Sequence, residues 1–205
     1  MPFAFPSHQG LIAPLWRRWP GRFHVLGLCV GAATPDIVDG IMGPIFKGGL
    51  GQWLGHTLVG LFVFCVPVGI LVTWLMAHSG NWLLKWTQKP WAIWYSTHLI
   101  EWNSIPRRIV WKRWFVVFSV WLGALSHLFF DFISHGRFLW LYPWYEDKHF
   151  FPEWWYVAWF RLPLPGYRES YPVGPHLMVW LFLGILGAVM LFWPLIWKKT
   201  TRNSL

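Results

Sequence analysis

His127, Asp131 and His135 recur every four residues inside the apolar, aromatic run from Ser126 to His135. On an α-helix this spacing stacks the three side chains on one face, with neighbouring Cβ atoms about 5–6 Å apart. Two imidazoles and a carboxylate on one stripe are the donor types that divalent transition metals take. The run is apolar enough to lie in a bilayer, where an ionisable side chain is costly and marks a functional site. An interhelical hydrogen-bond network, with ionised Asp131 paired to a protonated histidine, would satisfy the same groups.

Other candidate donors stand at the ends of other apolar segments. Thr34-Pro35-Asp36-Ile37-Val38-Asp39-Gly40 reads as a helix break that presents two carboxylates, because Pro35 disfavours helix at Thr34. His56-Thr57 opens the next apolar segment, and His176 opens the last. His24, His78, His98 and His149 stand among boundary aromatics or basic residues and read as interfacial. Cys29 and Cys65 lie inside apolar runs and read as small buried hydrophobes.

The elements that must carry these residues are membrane elements. Of 205 residues 56% are hydrophobic and 12% charged, about half the charge of a soluble domain. Such a chain cannot cover a water-facing surface. Twenty Trp suit the bilayer interface, where the ring is buried and the N–H stays wet. The net charge of +9 would suggest nucleic acid in a soluble protein, but the basic residues cluster beside apolar segments. Topology setting and anionic lipid account for them, and no nucleic-acid partner is expected. No basic residue precedes the first apolar stretch, so no cleavable signal peptide is expected.

The expected fold is all-α, a single integral membrane domain over 1–205. It has about four transmembrane helices, near 23–42, 54–77, 114–133 and 176–197. Pro67 and Gly69 should kink the second. Residues 81–109 read as an interfacial stretch with amphipathic helices, and 136–175 as an aromatic surface loop. Arg17, Arg18 and Arg22 precede the first span. Lys85, Lys89, Arg107, Arg108, Lys112 and Arg113 lie between the second and third, and Lys198, Lys199 and Arg202 follow the fourth. This bias predicts cytoplasmic N and C termini. Asp36, Asp39, His56, His127, Asp131, His135 and His176 then meet at one membrane depth. His8 precedes Arg17-Arg18 and joins them only if Ser7 caps a short re-entrant helix.

Pro6-Ser7-His8, Pro35-Asp36, His56-Thr57-Leu58-Val59-Gly60 and Gly123-Ala124-Leu125-Ser126-His127 with Asp131 occur in that order along nearly the whole chain. This ordered set resembles a bacterial family of uncharacterised integral membrane proteins, domain-of-unknown-function family 4184. More distantly it is similar to inner-membrane metal-dependent hydrolases. The resemblance implies a metal held by His8, Asp36, His56, His127 and Asp131; His135 is added from spacing. The second acid stands three residues after Asp36 rather than two, and no His-Arg precedes the His-Thr pair. The expected metal is zinc, with manganese or iron admitted by the carboxylates. The expected activity is hydrolysis of a lipid-borne ester or phosphoester in the bacterial inner membrane, with Asp131 or Asp39, whichever is not a ligand, as general base. Partners are then membrane lipids and that substrate; no oligomeric state is implied. A metal or proton transporter using the same cluster, or a non-catalytic membrane protein, are the alternatives.

Overall fold

The structure is a computed structural model, and it describes residues 4–19, 22–45, 54–86, 112–134, 140–142, 144, 151–163 and 170–202. The fold is mainly helical, as expected. Helix α1 runs Ala4–Arg18, α2 Val25–Gly31 and α3 Thr34–Ile45. A 3-10 turn, Leu54–His56, precedes helix α4, which combines Leu58–Gly60, a π segment Leu61–Cys65 and Val66–Trp86. Helix α5 is Lys112–Ser134, α6 the short Glu153–Tyr156, and α7 Pro175–Arg202. Strands β1, Phe160–Leu162, and β2, Tyr171–Val173, form an antiparallel hairpin with Phe160 opposite Val173. The all-α expectation missed this hairpin, because its strands are too short to show a period-two pattern.

Two helices are long and apolar enough to cross a membrane, Leu58–Ser79 and Trp114–Asp131; the bent pair α2–α3 would count as a third. The expected 176–197 segment is helical within α7. The proline-broken first segment is two helices at 42°. Pro35 has no N–H for the Gly31 carbonyl, and the Thr34 hydroxyl donates to it instead at 2.6 Å. In the second segment the irregularity takes the form of a π turn just before Pro67, which absorbs the missing donor of that proline. Helix α4 continues into the expected interfacial stretch as far as Trp86, and 87–109 lies outside the described residues. The expected re-entrant start differs too: α1 already begins at Ala4, so Ser7 sits within the helix rather than at its start.

Small residues bring the helices close. A Cβ on Gly31 would lie 2.2 Å from the Val120 carbonyl oxygen, and one on Gly123 2.3 Å from that of Leu28, so α2 and α5 touch backbone to backbone. Against this pair pack α4 and also α1, which in turn packs along α7. The core beneath the helix ends consists of Val38, Leu61, Cys65, Ala124 and Leu128. Large apolar side chains such as Phe62, Leu71, Trp74, Phe129, Phe182 and Ile185 point outward and are more than half exposed. In water such a surface would associate; in lipid it is the ordinary solvent face.

Candidate metal centre

The α2–α3 break builds one wall of the centre. Ending α2 at Gly31 frees the Ala32 carbonyl, which accepts from His127 Nδ1 at 2.8 Å. A carbonyl only accepts, so this nitrogen carries the proton and Nε2 carries the lone pair. The same break sets Asp36 in the first turn of α3 and Asp39 one turn on.

A second wall comes from the turn before α4. Thr57 has extended backbone, its Oγ1 accepts from Gly60 N at 2.8 Å, and it thereby caps α4. The cap holds the preceding turn at a fixed angle. Gly55 lies against α3, where a Cβ would stand 2.4 Å from the Pro35 carbonyl oxygen. Its N–H donates to Asp39 Oδ1 at 2.6 Å, and His56 Nδ1 donates to Asp39 Oδ2 at 2.6 Å. Both Asp39 oxygens are thus used to orient His56, whose Nε2 is turned inward.

The two imidazole nitrogens meet there. His56 Nε2 lies 3.1 Å from His127 Nε2, and Asp131 Oδ2 lies 3.0 Å and 3.5 Å from them. Asp36 Oδ1 is 3.7 Å from both. Donors about 2.0–2.3 Å from a tetrahedral zinc stand about 3.3–3.8 Å apart; the 3.5 and 3.7 Å separations lie in that range and the 3.0 and 3.1 Å ones just below it, so one such ion would need those donors to move apart by a few tenths of an ångström. Burial of His56 alone would disfavour its proton, but the hydrogen bonds and charges of Asp131 and Asp39 outweigh this and push its pKa up to about 10 without metal. Asp36 Oδ2 is also buried with no hydrogen-bond partner.

His8 arrives from α1 and is buried. Its ring stacks on that of His127, with centroids 3.5 Å apart and planes at 13°. Trp180 of α7 meets it edge-on at 4.4 Å, and Phe130 at 6.1 Å. Two groups could hold an ion among the described residues: His8, Asp36 and His127, and His56, His127 and Asp131.

Of the residues singled out in the sequence, the structure therefore brings together His8, Asp36, Asp39, His56, His127 and Asp131. His135 lies outside the described residues. His176 turns elsewhere and bonds the Trp155 carbonyl oxygen at 3.3 Å. His24, read as interfacial, is buried and caps α2, its Nδ1 accepting from Gly27 N at 2.9 Å. The sequence reading missed three contributors. They are the Ala32 carbonyl, the Asp39–His56 pair and the Trp180 wall; only the Pro35 break signalled the first.

A helical protein with an acceptor-rich His/Asp cluster near the ends of apolar helices is the class that fold and centre define. The chain matches the family described as a domain of unknown function, DUF4184, over residues 1–162, and it belongs to that family. The match includes every residue of the cluster and ends before α7. No curated protein and no solved structure matches the chain.

Proposed function

We propose that this protein is a membrane-bound, divalent-metal-dependent hydrolase of a lipid-borne ester or phosphoester. It would be a multi-pass protein of the bacterial inner membrane, with about four spans and both termini in the cytoplasm. One observation carries the reading. His56 Nε2, His127 Nε2, Asp131 Oδ2 and Asp36 Oδ1 converge as acceptors, because the Nδ1 protons of both histidines are already engaged. Such a group is repulsive until a cation enters it.

The donor set suits zinc, and its carboxylates also admit manganese or iron. His56, His127, Asp36 and Asp131 would hold the ion, which when bound supplies an acidified water and a polarised scissile group. Asp39 keeps His56 in the ligating tautomer. With both Asp39 oxygens occupied and Asp131 among the ligands, neither acid is left as the free general base that the sequence reading expected. Net hydrolysis adds the water hydroxyl to the acyl or phosphoryl group and its proton to the leaving alcohol. Asp36 is the most open of the three acids, with a side chain 32% exposed, and marks the substrate's approach.

A metal or proton transporter using the same cluster is the alternative. Away from the cluster, Gln9 Nε2 donates to the Cys29 carbonyl oxygen and Ser119 Oγ to that of Phe115, while Gln9 Oε1 and Thr73 Oγ1 are buried with no hydrogen-bond partner. The test is elemental analysis of protein purified in detergent without a His-tag, beside His127→Ala/Asp131→Ala, followed by hydrolysis assays on phospholipid vesicles. Near-stoichiometric metal that the double variant loses, with activity falling at least about 100-fold, is the expected result. Metal-free, folded wild-type protein would sink the hydrolase reading.

A further inference from the structure

We propose that the centre takes two divalent cations, with the Asp36 carboxylate between them and His8 ligating the second. This rests on the metal reading above and extends it from one ion to two.

The reason is the stacking of His8 on His127. An imidazole lone pair lies in the plane of its ring, and a metal ligated by it lies close to that plane. The His8 and His127 planes are inclined by 13° and their centroids stand 3.5 Å apart. An ion in the plane of His127 at Nε2 therefore stands well out of the plane of His8. One ion cannot be an in-plane ligand partner of both rings. The stacking offset of 3.5 Å matches the spacing of two-metal sites, about 3.5–4 Å.

Asp36 is placed to serve both positions. Its Oδ1 faces His56 and His127 at 3.7 Å, while Oδ2 is buried without a hydrogen-bond partner. His8 and Asp36, which share a group of donors within 4.8 Å with His127, would hold the second ion, and His56, His127 and Asp131, likewise within 4.8 Å of one another, the first. Charge agrees. Asp36, Asp39 and Asp131 bring three carboxylates into a site that is mostly shielded from water, more than one divalent ion neutralises. Trp180 and Phe130 meet the His8 ring edge to face, at 4.4 and 6.1 Å, and help hold it in this plane. The substrate class narrows accordingly: two ions side by side clamp the two oxygens of a phosphoester displacement better than they do a carboxylic ester.

The test uses full-length, tag-free protein in detergent, stripped with chelator and reloaded with Zn2+ or Mn2+. Two Zn2+ per chain, and an electron paramagnetic resonance spectrum of exchange-coupled Mn2+, are expected for wild type. His8→Ala and His8→Gln should each hold one Zn2+ and show the six-line spectrum of isolated Mn2+. Saturation of wild type at one ion with an uncoupled spectrum overturns the inference and leaves the hydrolase reading standing. Two ions retained in both His8 variants also overturn it. No ion in folded wild type fails the hydrolase reading itself. Should both variants misfold, the coupling in wild-type protein decides alone.

Discussion

Asp39 holds His56 through two short contacts, one to the ring and one to the Gly55 N–H of the same turn. A carboxylate so placed fixes tautomer and ring direction, and loss of such a partner costs about 10–100-fold in metal affinity. Asp39→Asn should show that loss in a zinc competition titration while the protein stays monodisperse. Charge at His56 gives a second outcome. Its metal-free pKa is raised from 6.5 to about 10, so the stability it lends is complete below pH 6.5 and disappears as pH rises through about 10. Thermal unfolding of metal-free protein should therefore weaken from pH 7 to 10, and His56→Gln should flatten that slope. The candidate donors themselves were legible in the sequence because ionisable residues stand out in apolar runs. Their roles were not. Asp39 could be read as ligand or base until its oxygens were seen to face Gly55 and His56.

The break between α2 and α3 and the glycine contact between α2 and α5 work as one device. Gly123 lies against Leu28 and Ala32, and Ala32 is the residue whose carbonyl sets His127. Gly123→Ala should push the helices apart at a cost of about 1–3 kcal/mol and lower bound metal as well. Thermal stability and elemental analysis of the same sample check both. Thr57→Ala should remove the α4 cap, cost about 1 kcal/mol and loosen the His56 turn, read as weaker zinc binding with a smaller loss of stability than at Gly123. At this scale the helices were legible from apolar stretches of spanning length and from Pro35. The small-residue spacing Gly27-x-x-x-Gly31 was a signal for close helix packing that the hydropathy reading passed over. The β1–β2 hairpin left no usable signal, its pairing being joined across residues 163–170 by contacts between short segments.

As a whole the molecule is a bundle whose cluster ties α1, α3, α5 and the turn before α4 to one point. A cation bound only by the folded state adds stability in proportion to the logarithm of its concentration over its dissociation constant. Chelator treatment should thus lower the melting temperature in detergent, and Zn2+ should restore it in wild type but not in His127→Ala/Asp131→Ala. The proposed orientation predicts that reporter fusions at both ends read as cytoplasmic. Hydropathy, charge bias and the i, i+4 stripe of His127 and Asp131 are local properties, so the sequence by itself determined that the chain is apolar and helical and which side chains could ligate. The convergence of those side chains depends on helix crossings. His127 finds the Ala32 carbonyl across 95 residues, and His8 finds His127 only because α1 packs along α7. Only the tertiary structure decided that Asp39 serves His56, that His8 stacks on His127, and that four acceptors share one point. Each of these follows from where helix axes cross and which way a ring is turned, which no run of neighbouring residues encodes.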